Sequence, residues 1–425
     1  MKLLLAAVLA SALVGVGCAP GEQPIVIAAV YPLSGAQGPG GVDEFRGAGL
    51  AVDLMNQDGG VGGRPVELDA LDVSDQDAVP AAMQHLEDQG TKLVLGSYGS
   101  TISAPAAAIA KAHGMLFWET GAVGDMNENG SWTVSPPRVQ EPSDGYFFRV
   151  APTGSSLGSA AISFMAHRYA PLVGLDGKKL RYAVVNVGDI YGRSVAHGAV
   201  NEIRSLGLPF AGRFEYDLKA PHFDSIIRSL KRARPDILFV SAYIDDGVAF
   251  RRKIVSSHLH LVGNIGSSSS YCMPAFGESL GKDAVGVFAS DKPDAEYMSP
   301  DALSSSARSL LDRARAAYTD RYHEEMSAAA LAGFSGAWAL LDYVLPGADP
   351  GSPASVAAAA RRVNEPLGSL PNGSGLEFAG AASRRVGENL KASSVIWEWV
   401  GVGRRAVVWP RRFATRHAEV LAARG

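Results

Sequence analysis

Residues Ile25–Asp72 read IVIAAVYPLSGAQGPGGVDEFRGAGLAVDLMNQDGGVGGRPVELDALD. The apolar run from Ile25 stops at Pro32 and Gly35, and a short run bounded by turn residues predicts a strand buried on both faces. Gly35–Gly41 predicts a Gly-rich turn. DEFRGAGLAVDLMNQ then predicts a helix, with Phe45, Ala48, Val52 and Met55 recurring on one face. Gly59, Gly60, Gly62 and Gly63 end that helix, and PVELDALD supplies the next strand. The result is a βαβ unit whose first turn stays open toward a ligand.

The alternation continues outward. Val79, Met83 and Leu86 form a helical stripe, TKLVLG is a strand ending at SYGS, and SAPAAAIAKAHG is a helix. MLFWE is a strand followed by the open turn TGAVG. Alternating βα units predict a parallel sheet with right-handed crossovers and helices on both faces, and such sheets bind ligands beyond the carboxyl ends of their strands. Ser34, the segment Ser97–Tyr98–Gly99–Ser100–Thr101, and Thr120 to Val123 (including Gly121 and Ala122) all fall at that rim.

A second series begins with RYAVVNV and runs through FAGRFEY, PDILFVSAY, HLVGNIG and AVGVFAS, with helices between. LSSSARSLLDRARAAYTDRYH and AAALAGFSGAWALLDYVL are predicted helices. SSVIWEWVG and RAVVWP make a terminal hairpin, and RRFATRHAEVLAARG reads as a basic surface tail. No short internal repeat is present.

The chain has 425 residues, which suits two domains, and its net charge of -4 gives no electrostatic case for nucleic acid. At the start, Lys2 is followed by LLLAAVLASALVGVG and Cys18. This has the form of a signal peptide, residues 1–18, and the small residues before Cys18 resemble a bacterial lipobox, in which the cysteine is lipidated. Gly15 stands where a leucine is usual. No other segment reads as long and apolar enough to cross a bilayer. Once the leader is removed, Cys272 is the sole internal cysteine, so no intramolecular disulfide is expected.

The chemistry-bearing patterns point away from catalysis. GAQGPGG lacks the G-x-G-x-x-G spacing, and Pro39 interrupts the backbone donors a pyrophosphate needs. G-x-S-x-G is absent, and the hydroxyl cluster GSSSSY has no neighbouring base in sequence. His258 and His260 have no third ligand nearby, so no metal site is expected. The run RSLKRARP reads as a solvated helix face. In LGSYGST, Ser100 or Thr101 stands where a helix begins; the hydroxyl either caps that helix or, with the free amides there, receives a ligand carboxylate. Tyr191 and Tyr243 stand at the matching edge of the second series, as packing residues or ligand contacts.

YPLSG, FRGAGLAVDLMNQDGGVGGRPVEL and DIYGRS resemble the type 1 periplasmic binding proteins, specifically the leucine/isoleucine/valine-binding family, and the resemblance extends from Ile25 to Pro410. It implies an α/β fold of two doubly wound parallel-sheet lobes joined by three crossings, the first at GYFFRVAPTGS. Lobe 1 would comprise 24–148 and 291–377, lobe 2 would comprise 149–290 and 378–412, and 413–425 would be the tail. The implied function is a non-enzymatic, extracytoplasmic substrate-binding protein that closes its lobes over a small molecule and delivers it to an ABC permease. The expected form is a monomer without cofactor or metal, in the periplasm or on the outer face of the cytoplasmic membrane, held by lipid at Cys18. The competing reading is a ligand sensor of the same fold docking on a membrane signalling partner.

By the same resemblance, Ser100 and the backbone at Gly121 and Ala122 hold the ligand carboxylate, Tyr191 and Tyr243 close over it, and Arg149 is structural. Two departures bear on ligand class. The acidic residue that pairs with an α-ammonium in the family aligns with Ser269, and a threonine acceptor aligns with Val123. Glu119, Asp245 and Asp246 are candidate substitutes for the acid; Glu119 either touches ligand or caps its own turn. Without a substitute the cleft favours a small carboxylate or amide lacking an α-ammonium, because a buried ammonium without a partner is costly.

Overall fold

A computed structural model describes residues 23–125, 146–380, 383 and 385–421. The expected signal peptide, residues 1–18, and Cys18 lie outside the described residues. The first lobe opens with β1 (Ile25–Tyr31), α1 (Gly38–Gln57) and β2 (Val66–Asp72), the strands paired in parallel. It continues with α2 (Val79–Asp88), β3 (Leu93–Gly96), α3 (Ser100–Ala112), β4 (Leu116–Glu119) and β5 (Phe147–Arg149). These strands form one parallel sheet of order β2-β1-β3-β4-β5. Strand pleating explains why β1 is apolar throughout. Ile27, Ala29 and Tyr31 pack in one core with α1, while Ala28 and Val30 pack in another with residues of α2 and α3.

One local expectation is corrected here. Gly38–Gly41 is the first turn of α1 rather than an open loop, with Pro39 at its start. A proline there loses nothing, since that amide has no intrahelical partner and the ring fixes a helical φ.

The chain then enters the second lobe. Its elements are α4 (Gly154–Phe164), prolonged by a π-helical turn and the short α5 (Ala170–Leu172), then β6 (Tyr182–Val187), α6 (Ile190–Ser205), β7 (Phe210–Tyr216) and α7 (Phe223–Ala233). They are followed by β8 (Ile237–Ser241), α8 (Ile244–Ser256), β9 (Gly263–Ser267), α9 (Pro274–Leu280) and β10 (Phe288–Asp291). In α7, which carries the basic run, Ile226, Ile227 and Leu230 are buried and the cations face solvent. A second crossing leads to α10 (Ser305–Tyr322), α11 (Ala328–Trp338) and α12 (Pro353–Ala360). The small strands β11 (Asn364–Glu365) and β12 (Leu376–Glu377) precede the third crossing. The chain ends in the hairpin β13 (Val395–Gly401) and β14 (Arg404–Trp409).

The second sheet has the order β14-β13-β10-β9-β8-β6-β7. Its five parallel strands repeat the order of the first sheet, and the hairpin adds antiparallel strands beside β10. This two-lobed, doubly wound architecture with three crossings is the one the family resemblance implies.

Helix α11 belongs to the first lobe because it lies against α1 at very short range. A methyl group on Gly47 would collide with the Ala330 carbonyl, and one on Gly333 with the Glu44 carbonyl. The 20-residue stretch Ala328–Gly347 is long and apolar enough to span a bilayer, which corrects the sequence reading. It is 83% buried within the protein, so its apolarity serves the core. The basic C-terminal segment is also more than a surface tail. Phe413 is buried, and Arg412 donates to the carbonyls of Ala302 and Leu367.

Candidate functional site

The carboxyl ends of both parallel sheets face a common cleft of about 360 Å³. The first lobe supplies Gln37 and Gly40 after β1, Tyr98, Gly99 and Ser100 after β3, and Gly121 and Val123 after β4. The second supplies Tyr191 after β6, Tyr243 after β8, Ser268, Ser269 and Cys272 after β9, and Asp291 with Lys292 at the end of β10. These positions cluster at the strands' carboxyl ends, in the last strand residue, the connecting turn or the first turn of the next helix.

Of the residues expected from sequence, Tyr98, Ser100, Gly121 and Val123 line the cleft from one side, and Tyr191, Tyr243 and Ser269 from the other. The remaining five lie off its lining. Ser34 is exposed and donates to Asp72 Oδ2 at 2.6 Å, fixing the turn after β1. Ser97 is fully buried behind the rim, its amide donating to Glu119 Oε1 at 3.1 Å. Thr101 points back to Gln37, whose amide donates to its hydroxyl at 2.8 Å. Ala122 is buried with its amide already bonded. Asp245 is exposed in the first turn of α8, so it is displaced from the place a substitute acid would need.

Ser100 is the first residue of α3, and Gly99 takes the cap position without a side-chain bond. The serine hydroxyl therefore does not cap. It accepts the Gly124 amide at 2.9 Å, and among the described residues no acceptor takes its own proton. Among the described residues, the Ser100 and Thr101 amides have no partner, as expected for the first turn of a helix.

The expected donors at Gly121 and Ala122 are a second correction. Both amides donate to Glu119 Oε1, at 3.0 and 2.8 Å, so a resident carboxylate already occupies them. Glu119 thus caps its own turn, the alternative the sequence left open. Tyr191 and Tyr243 present ring surface rather than free hydroxyls, their centroids 5.3 Å apart. Tyr191 bonds Ser267 and the Ser268 carbonyl, and Tyr243 donates to Asp189 Oδ2 at 2.7 Å. Ser269 holds a left-handed backbone, φ 68°, unusual for a residue with a side chain and of the kind that gathers at ligand sites. The Tyr98 hydroxyl meets the Ser269 side chain across the cleft.

Below the first-lobe rim lies buried charge that the sequence did not reveal. Glu44 of α1 is fully buried, and a chain of hydroxyls reaches it: Tyr31 bonds Thr120, which donates to Glu44 Oε1 at 2.6 Å. Loss of hydration pushes the Glu44 carboxyl up from 4.5 to about 7, against the pull of Lys292. Burial likewise pushes Glu119 up to about 8, opposed by Arg149. Arg149 is itself fully buried and donates to the Gly124 carbonyl, which fits the structural role expected of it.

This arrangement carries a pH prediction. A carboxyl whose folded pKa is raised binds its proton more tightly in the native state, so stability is lost as pH rises from 4.5 through about 7. Glu44→Gln removes that dependence. Relative to wild type, the variant should gain on the order of 2–3 kcal/mol between pH 5 and pH 8, read by urea unfolding at both pH values. A difference that stays constant with pH would mean that Glu44 is hydrated.

The sequence reading also missed Lys292 and Arg405. Lys292 follows β10 directly, so the carboxyl-end rule applied to AVGVFAS would have found it. Arg405 comes from β14, far along the chain, and no local pattern marks it. It donates to Asp294 Oδ2 at 2.8 Å and to the Cys272 carbonyl.

Two doubly wound lobes around a polar-floored, aromatic-walled cleft define a binding protein for a small molecule. Residues 24–383 match the family model described as periplasmic binding protein, and the chain belongs to that non-enzymatic, ligand-binding family. It is 25% identical over 416 residues to the Leu/Ile/Val-binding protein homolog 8 of Brucella suis biovar 1 (strain 1330), covering 97% of each chain. Among solved structures, it is similar to the branched-chain amino acid transporter substrate-binding protein LivJ of Streptococcus pneumoniae in complex with isoleucine. That match has a TM-score of 0.69 at 16% identity, with 91% of this chain and 100% of that chain covered. It is also similar to a fatty acid ABC transporter substrate-binding protein of Thermomonospora curvata, with a TM-score of 0.66 at 18% identity and 92% of each chain covered.

Proposed function

We propose that this protein is the substrate-binding component of an ABC importer, and that its cleft takes a small carboxylate or amide lacking an α-ammonium. The observation that carries this reading is the cleft's polarity: donors at Ser100 and at the start of α3, with neither an acid at position 269 nor a hydroxyl at position 123. The similar structures include one described with isoleucine and one named for fatty acids, so the fold leaves the ligand open and the lining must choose it. Lobe 1 comprises 24–148 and 291–377, lobe 2 comprises 149–290 and 378–412, and hinge motion at the crossings closes them. The protein works as a monomer outside the cytoplasm, tethered through lipid at Cys18, and passes its cargo to the permease.

The test is a thermal-shift screen of carboxylates and amides, followed by calorimetry of the hits on variants, since a ligand stabilises the state it binds. Ser100→Ala should weaken a carboxylate by about 1.5–3 kcal/mol through one lost hydrogen bond to a charged group. Tyr191→Ala and Tyr243→Ala should weaken it further by removing the second wall, with the unliganded melting transition kept. Unchanged affinity in all three variants would place the ligand elsewhere.

A further inference from the structure

Lys292 is the outlier in the cleft. Its residue is 6% exposed, yet among the described residues no carboxylate lies within 4.0 Å of its ammonium. One bond is made, to the Gly121 carbonyl at 2.9 Å, and the Nζ stands 5.9 Å from the centroid of the Tyr98 ring. An ammonium carries three protons, so this one has donors to spare inside a cavity large enough for a ligand.

The nearby acids attract it but form no ion pair with it. Asp291 receives the Cys272 thiol at 2.8 Å, and Glu44 receives Thr120; both act on Lys292 only from beyond ion-pair distance. At the rim, Asp43 and Glu324 lie on Arg46, at 3.8 and 3.2 Å. The other cation of the lining, Arg405, is already matched by Asp294. A buried charge is stable when paired and costly when alone. The missing partner must come from what enters the cleft.

We infer that Lys292 is the specificity-determining counter-ion of this site, and that the cargo is a small carboxylic acid, bound as its anion with the carboxylate on the Lys292 ammonium. This rests on the reading of the cleft given above and narrows it: of carboxylates and neutral amides, the acids are chosen. Desolvation strengthens the choice, because an amide of the same shape leaves the ammonium unpaired when the lobes close.

The test uses matched pairs, in which 4-methylpentanoate, benzoate and phenylacetate are compared with their amides by calorimetry on the full mature chain. Wild type should bind at least one acid about tenfold or more tighter than its amide. Lys292→Met and Lys292→Gln should bring each such pair within about twofold, and Lys292→Arg should keep the preference. Unliganded melting temperatures show that the variants are folded. Acid affinity unchanged in Lys292→Met and Lys292→Gln, or no acid bound by wild type, overturns the assignment. An amide that binds as well as its acid, and is lost on Tyr191→Ala, overturns Lys292's role while leaving the cleft as the binding site. Acid binding that depends on Lys292, accompanied by equally tight binding of leucine, has the opposite meaning: the counter-ion stands and the exclusion of α-ammonium fails.

Discussion

Arg405→Met should cost about 3–5 kcal/mol of folding stability, the usual consequence of removing one partner from a buried ion pair. The side chains of Arg405 and Asp294 are 6% and 1% exposed, with 2.8 Å between Nη2 and Oδ2. The guanidinium also sits 4.8 Å from the Trp397 ring centroid and 5.1 Å from that of Tyr297, and donates to the Cys272 carbonyl. One side chain therefore ties the terminal hairpin to the loop after β9 and to the second crossing. Methionine fills part of the volume but leaves Asp294 in an apolar site, where burial already raises its pKa against the pull of Arg405. Without Arg405 that rise grows, so the deficit should be largest at neutral pH and shrink toward acid pH as the carboxyl takes a proton. Urea unfolding at pH 7 and pH 5 reads both effects. The double variant Arg405→Met with Asp294→Asn should recover part of the loss, since it removes the orphaned charge. A single-variant deficit below about 1 kcal/mol would mark the pair as solvated.

Leucine should bind at least about a hundredfold more weakly than 4-methyl-2-oxopentanoate, which keeps its side chain and carboxylate but replaces the ammonium with a carbonyl. The acids named from the sequence as substitutes are engaged or misplaced, while Asp43, Glu278, Glu324 and Glu325 stand farther out on the lining. Glu119 Oε1 holds the amides of Ser97, Gly121 and Ala122. Asp245 faces solvent, and Asp246 is tied to the Tyr216 hydroxyl. Asp291 does line the cleft and has one oxygen without a partner, but its other oxygen takes the Cys272 thiol and burial raises its pKa. Lys292 beside it adds a like charge to any incoming ammonium. Isoleucine and valine should follow leucine. Calorimetry of the matched pair decides the matter. Micromolar binding of leucine, abolished by Asp291→Asn, would refute the exclusion and name the acid responsible.

These two predictions divide along what the chain makes visible. The parallel-sheet lobes were legible because their information is local: apolar runs a few residues long, helical stripes such as Val79, Met83 and Leu86, and Gly-rich turns between them. The rim was legible for a related reason. In a doubly wound sheet the turn after each strand's carboxyl end faces the ligand, so finding the strands finds Tyr98, Ser100, Gly121 and Val123. The errors nearby are also local. Gly38–Gly41 looked like an open turn and begins a helix, and of the two readings left open for Ser100 the cap falls to Gly99.

Pairing across distance was not legible, because a side chain's partner is set by packing and not by spacing. Glu119 looked like a ligand contact or a cap, and only its fold against Ser97, Gly121 and Ala122 shows that the protein's own carboxyl takes two of the amides expected for a ligand. Arg405 finds Asp294 across 111 residues, and Lys292 finds Gly121 across 171. The sequence by itself determined the two lobes, their helix-and-strand order and the rim on which a ligand must sit, since hydrophobic period and turn chemistry act over a few residues. Only the tertiary structure decided which buried charges are matched, and that Lys292 faces the cleft with no carboxylate at ion-pair distance among the described residues. That balance depends on which groups lose their water together, and the chain makes that choice only when the lobes are packed.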